Sequence, residues 1–377
     1  MNLSCLNAAL SRALSLVRRA VSERSTAMPI LSHVLLEAAP DGLTLAASNL
    51  EWHLVHRLPA QVQTPGRVAV PATALAEWVS TLPGAALSSL TLDLESLVLT
   101  LETESTTAAF AGMDPADLPL LPEPEGEGVE VEAAVLRAAL GRVAFAASHD
   151  ATHPVLTAVL LHFEGATLTL AATDGYRLSE EQIPLLAPVA SPCDVLVPAR
   201  VLDELRRLVG QTGQVALSVT EAHDRLAVHY GPTTQVSQAL AGTFPNYRGV
   251  IPSATAITVN LDRLALLGAC RRAKVFARDI GGLVRLRLGD HGLIVAADLG
   301  PEGESATSLP VDAPQATELQ IGFNADYLID ALTALDTAAV SLKLNSARQP
   351  GVIDLVDAAG AQAFVHAIMP MQIESGP

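Results

Sequence analysis

What this sequence has little of already narrows it. Cysteine occurs only as Cys5, Cys193 and Cys270, one in each third of the chain. So few, scattered thiols build neither a disulfide framework nor a metal-ligand spacing, and they fit a reducing cytosol. Aromatic residues make up 3%, so a core has to be assembled from Leu, Val and Ala. No apolar run reaches the roughly 20 residues of a membrane span. The N-terminal stretch carries Arg12, Arg18 and Arg19 inside it, not the charge-first, apolar-after order of a signal peptide. A P-loop, a dinucleotide fingerprint and a GxSxG elbow are also missing. These absences predict a cytoplasmic protein with no cofactor, no metal and no catalysis of its own. His149, Asp150 and His153 lack a second ligand cluster and read as a polar loop. Asp174-Gly175, following a strand, reads as a turn.

What is present is repetition. LTLAA at Leu43–Ala47 returns as LTLAA at Leu168–Ala172 and as LIVAA at Leu293–Ala297, each 125 residues after the last. PILSHVLLE at Pro29–Glu37 matches PVLTAVLLH at Pro154–His162 at the same offset. A period this long in 377 residues means three copies of a domain, expected at 1–126, 127–252 and 253–373. Each copy opens with a helix: Leu10, Leu14, Val17 and Val21 have helical spacing, as do Leu136, Leu140 and Val143, and 261–278 fills the role in the third. A hairpin follows, 30–37 with 43–47, 155–163 with 166–172, and 283–288 with 293–297, with glycine-containing turns at Asp41-Gly42, Glu164-Gly165 and His291-Gly292. Extended structure is expected to begin at Pro29 and its counterparts. A second helix is announced by Val-Pro-Ala at 70–72 and 197–199 and by Asn324 as a cap in the third copy. Two more strands close each unit. The expected class is α+β, two helices packed on antiparallel strands in each copy. The proline-rich, acidic 118–128 and the segment 244–252 are expected to link the copies.

The net charge of −17 argues against a polyanionic partner, but its distribution does not. The first-helix segments 1–22, 133–149 and 263–278 hold ten of the 23 basic side chains and no acid, where the chain average would place about six. A plain solvated face normally mixes Glu with Lys or Arg. Acid-free faces in an acidic protein suit phosphates instead, and with no zinc-finger spacing or RNP-type aromatic motif the binding is expected to be sequence-independent and salt-sensitive. Arg200, Arg206 and Arg207 on a second helix extend the pattern; Asp203, Glu204, Asp326 and Asp330 run against it. A triplicated scaffold that binds only proteins is the alternative.

Four motifs then converge. MPILSHVLLE at Met28–Glu37, LAATDGYRL at Leu170–Leu178, FPNYRGVIP at Phe244–Pro252 and AIMPM at Ala367–Met371 resemble the bacterial DNA polymerase III β subunit, the sliding clamp, in order and over essentially the whole chain. The resemblance implies a head-to-tail homodimer closed into a ring of six similar domains, with helices lining the hole. Arg12, Arg18, Arg19, Arg24, Arg137, Arg142, Arg200, Arg206, Arg207, Arg271, Arg272 and Lys274 would then face double-stranded DNA. The dimer interface would use Ala108 and Phe110 on one side and Val275 and Phe276 on the other. It further implies a peptide groove for the polymerase α subunit, the clamp loader and repair proteins. By motif the groove comprises Leu156, Thr173, Gly175, Tyr176, Arg177, Leu178, Pro245, Val250, Val352, Ile368, Met369, Pro370, Met371 and Ile373. Gly249 and Gln372 are uncharged where that family often has arginine, which implies a looser hold on an acidic flank of the peptide.

Overall fold

The computed structural model describes residues 1–22, 28–119, 128–278, 281–289, 292–298, 303–311, 318–356 and 363–373. The first repeat runs β1 (Asn2–Leu6), α1 (Asn7–Val17), β2 (His33–Ala39), β3 (Gly42–Ser48), β4 (Trp52–Leu58), β5 (Gln61–Thr64), β6 (Gly66–Pro71), α2 (Ala72–Ser80), β7 (Leu87–Asp93), β8 (Val98–Glu102) and β9 (Thr107–Ala111). The second runs β10 (Val129–Glu132), α3 (Ala133–Val143), β11 (Ala158–Glu164), β12 (Thr167–Thr173), β13 (Arg177–Pro184), β14 (Cys193–Pro198), α4 (Ala199–Leu208), β15 (Gln214–Val219), β16 (Arg225–Tyr230) and β17 (Thr233–Gln238). The third runs β18 (Ile257–Asp262), α5 (Arg263–Phe276), β19 (Leu283–Gly289), β20 (Gly292–Asp298), β21 (Glu304–Leu309), β22 (Leu319–Asn324), α6 (Ala325–Ala334), β23 (Ala339–Leu344), β24 (Gly351–Leu355) and β25 (Ala363–Ile368). The class is α+β with antiparallel sheets, as the repeats predict.

Two compact units emerge. One, residues 1–133 with 207–239, holds a five-stranded sheet in the order β5-β1-β7-β8-β9 and an eight-stranded sheet β10-β15-β16-β17-β4-β3-β2-β6. The other, residues 134–206 with 240–377, holds an eight-stranded sheet β14-β11-β12-β13-β25-β24-β23-β18 and a four-stranded sheet β21-β20-β19-β22. The middle repeat is shared because its last strand, β17, pairs with β4 of the first repeat, while its own β13 pairs with β25 of the third. Each eight-stranded sheet is therefore two repeats joined edge to edge.

Local chemistry accounts for the elements. In α1, Leu10, Ala13, Leu14 and Val17 are buried on one stripe. Asp262 Oδ1 accepts from Ala265 N at 2.7 Å to start α5, and Asn324 Oδ1 accepts from Asp326 N at 2.8 Å to start α6. At the first hairpin turn Gly42 has φ +142°, and a Cβ there would sit 2.7 Å from the carbonyl oxygen of Leu58, so only glycine fits. Among the described residues no helix is long and apolar enough to cross a membrane.

Two sequence expectations need correction. Val21 lies past the end of α1, which tightens into a 3₁₀ turn at Arg18–Ala20 and then extends. Pro29 and Pro154 do not begin strands. Each opens a 3₁₀ turn, Pro29–Ser32 and Pro154–Thr157, closed by a serine or threonine hydroxyl donating back to the proline carbonyl at 2.7 Å. The segment 244–252, expected to link the copies, lies between β17 and β18 and has Tyr247 buried against the sheet. Most of the acidic stretch 118–128 lies outside the described residues, as does the His291 half of the third hairpin turn.

Candidate functional site

The register of the second eight-stranded sheet builds a face row by row, because alternate residues of a strand point to opposite sides. One row runs Leu178, Ala367 and Val352, and the next runs Leu196, Leu160, Ala171, Glu180, Val365 and Asp354. Beyond it come Asp194, His162, Thr169 and Gln182. The face thus grades from apolar to polar. Leu160, Ala171, Leu178, Val352, Ala367 and Tyr247 form one buried cluster, with Val155, Phe244 and Ile251 packed on it. Around it Tyr176, Val250 and Met369 are exposed large side chains. An apolar floor with adaptable apolar side chains at its rim suits leucine or phenylalanine anchors of a linear peptide.

A tight turn sets the rim. Asp174 Oδ1 accepts from the amides of Tyr176 and Arg177, both at 2.9 Å, and Thr173 Oγ1 donates to the carbonyl of Arg177 at 2.6 Å. Gly175, at φ +91°, makes the reversal. Met369 N then donates to the Tyr176 carbonyl at 2.8 Å, tying the Ala367–Met371 motif to this turn.

Strand alternation overturns part of the motif-based assignment. Arg177 pairs with Ile368 in register, and both lie on the opposite face from Leu178 and Ala367. Ile368 is buried in the core of the third repeat. Arg177 is buried too. Its Nε donates to Asp174 Oδ2 at 3.0 Å, Nη1 to Asp330 Oδ2 at 2.6 Å and Nη2 to the Phe145 carbonyl at 3.0 Å, with Tyr327 stacked 4.6 Å away. Arg177 is a strut behind the candidate groove, not its wall. Of the remaining groove residues, Leu156 sits in the 3₁₀ turn, Pro245 and Pro370 lie in the segments flanking the cluster, and Met371 bridges to Gly322 with Ile373 beside it. The groove set read from motifs does not include Leu160, Ala171, Tyr247 and Ala367, which share the buried cluster of Leu178 and Val352; the alternation along 158–164 and 167–173 is the signal that places the first two.

The basic residues divide. Arg12, Arg18, Arg19, Arg200, Arg207, Arg271 and Arg272 are exposed on or next to their helices. Arg137 donates to the carbonyl of Arg206, and Arg206 lies 3.9 Å from Asp203. Lys274 is ion-paired with Asp326, and Arg263 donates to the carbonyls of Thr337 and Leu332 at the end of α6. Arg142 is a correction. Its side chain is 8% exposed and bonds Glu181, itself fully buried, through Nε at 2.7 Å, with Asp336 3.7 Å away. Burial pushes the Glu181 carboxyl up despite Arg142, and no phosphate can reach a guanidinium so enclosed. Arg24 lies outside the described residues.

Two sheet edges complete the picture. Among the described residues β9, carrying Ala108 and Phe110, pairs within its sheet with β8 alone, and β21 with β20 alone. Phe110 packs edge-on against Trp78 with ring centroids 6.1 Å apart, Val275 at the end of α5 is exposed, and Phe276 beside it is half-buried.

Three family models cover the chain: the N-terminal, central and C-terminal domains of the DNA polymerase III beta subunit match residues 1–122, 130–246 and 248–372. The chain is 33% identical to the beta sliding clamp of Synechocystis over 99% of this chain and all of that one. It is 32% identical to that of Synechococcus elongatus over the full length of both. Among solved structures, the DNA polymerase III subunit beta of Pseudomonas aeruginosa superposes with a TM-score of 0.89 at 27% identity, covering 99% of this chain and all of that one. The same organism's clamp bound to griselimycin gives 0.90 at 27% identity, over 99% of this chain and all of that one.

Proposed function

The chain belongs to the DNA polymerase III β subunit family, the sliding clamps, and from that premise we propose that two copies close head to tail into a ring around duplex DNA. The ring tethers the replicative polymerase and other replication and repair proteins through the groove over Leu178 and Val352, and it acts as a processivity subunit without catalysis of its own. The repeats 1–126, 127–252 and 253–373 are its three domains in each copy.

One observation carries the ring. At both internal joints the last strand of one repeat pairs with the third hairpin strand of the repeat before it, β17 on β4 and β25 on β13. The same rule leaves β9 of the first repeat and β21 of the third each in need of the other. A second copy supplies both, and such a heterologous contact closes when the rotation per joint divides a full turn. The exposed arginines of α1, α4 and α5 then give sequence-independent phosphate contacts weak enough for sliding. The acid excess stays on the outside, where it discourages stray binding.

Retention on circular against linear DNA tests this. Once loaded, the protein stays on a nicked circle through gel filtration and runs off after a single linearising cut. Equal retention on both forms, or a monomer at micromolar concentration, overturns the ring.

A further inference from the structure

We propose that Glu180 reads a basic side chain in the peptide that the groove takes; this rests on the groove reading above and adds a specificity to it. The repeat itself shows that the fold does not ask for a carboxylate here. Val55, 125 residues earlier, pairs with Ala46 as Glu180 pairs with Ala171, and it packs against the apolar cluster of Ile30, Leu31 and Leu35. Valine satisfies the sheet at that point. In the second repeat the same point holds an acid only 9% exposed, between Ala171 and Val365. Taking a carboxylate out of water is costly unless it is fully paired.

Its pairing is incomplete. Burial first and the neighbouring Glu180 second hold the Tyr247 phenol in its neutral form, and Gln182 Nε2 lies 3.4 Å from Oε1. Among the described residues Oε2 has no hydrogen bond, and Nε of Arg248 stands 3.9 Å from it on a side chain 63% exposed. Such an arginine can swing into solvent. The surroundings favour a cation: Glu164 also acts on Arg248, and Lys343 on the same face is held by Asp354 at 2.8 Å. A lysine or arginine of the ligand, anchored by apolar neighbours, would complete the carboxylate with a charge-assisted hydrogen bond.

The test uses the full-length protein, fluorescence anisotropy and labelled decapeptides sharing two leucines and a phenylalanine as anchors. Lysine or norleucine occupies each remaining position in turn. At one position lysine is expected to bind about tenfold tighter than norleucine. That gain disappears in Glu180→Gln and grows in Arg248→Ala, while norleucine peptides bind all three proteins alike. Norleucine peptides that bind with no lysine gain at any position, or a gain that survives Glu180→Gln, overturn the inference and leave the groove standing. Failure of every peptide to bind the unaltered protein overturns the groove itself and this inference with it.

Discussion

The two internal joints are built on the same turn and used differently. In the first repeat Ser48-Asn49-Leu50-Glu51-Trp52-His53 leads into β4; in the second Thr173-Asp174-Gly175-Tyr176-Arg177-Leu178 leads into β13. Asn49 Oδ1 accepts from the amides of Glu51 and Trp52 as Asp174 Oδ1 accepts from Tyr176 and Arg177, and the Ser48 and Thr173 hydroxyls accept from the amides of Leu50 and Gly175. Only the side chains differ. Where the first joint has Trp52 and a buried His53, the second has the Arg177 strut and Leu178 on an apolar floor. One backbone device thus makes a plain sheet joint in one place and the rim of a candidate binding groove in the other. The lesson is that the groove is a matter of substitution on a repeated frame, not of a special fold.

Removing the struts should separate the two joints most sharply. Arg177→Ala leaves Asp174 and Asp330 facing an empty site and is expected to cost about 3 kcal/mol of stability by denaturant unfolding, with peptide binding lost as the turn loosens. Trp52→Ala is expected to cost about the same, through a cavity, and to leave peptide affinity within twofold. If both variants lose the peptide equally, the division of labour between the joints is wrong.

Acid comes next in size, and here the joints behave alike. Burial holds His53 down to about 4, and burial with help from Arg177 holds His366 down to about 3. His366 makes its hydrogen bond to Ser179 through Nδ1 at 2.7 Å. With folded pKa values below the unfolded 6.5, the unfolded chain binds more protons in this window. Stability should therefore rise with pH from about 4 to 6.5 and level off above, with each histidine adding up to about 1.4 kcal/mol per pH unit. Urea midpoints across that range check the slope, and His53→Leu should flatten it by one histidine's share. A slope unchanged by that substitution would show that His53 is not the group titrating.

Much of this architecture was legible in the sequence, because the 125-residue offset fixed the hairpins and the Val-Pro-Ala junctions fixed two of the second helices. The short strands β1, β10 and β18 were not legible. Each is four to six residues long and runs straight into a helix, so its alternation merges with the helical pattern. The site was legible as motifs but not as faces. Thr173–Leu178 reads as one block, yet alternation sends Arg177 to the helices and Leu178 to the groove. The charge reading needed correction at Arg142 for a related reason: Glu181, which neutralises it, is distant in sequence.

The smallest effect is the most diagnostic of the shared turn. Leu50 takes φ +76° at the position where Gly175 takes +91°. A side chain in that region is strained by roughly 1 kcal/mol or more, and glycine returns part of it through the freedom it gains on unfolding. Leu50→Gly should therefore stabilise the protein by roughly 0.5 kcal/mol, a gain trimmed further by the loss of the little surface this exposed leucine buries. Gly175→Leu should cost roughly 1 kcal/mol, although a Cβ there would meet nothing within 4 Å, so the cost would be backbone strain and not collision. Opposite signs for the two substitutions in chemical denaturation would show that a common backbone constraint governs both turns. Equal signs would mean that the matching hydrogen bonds are coincidental, and that the leucine of the first joint is held by contacts the second joint has no counterpart for.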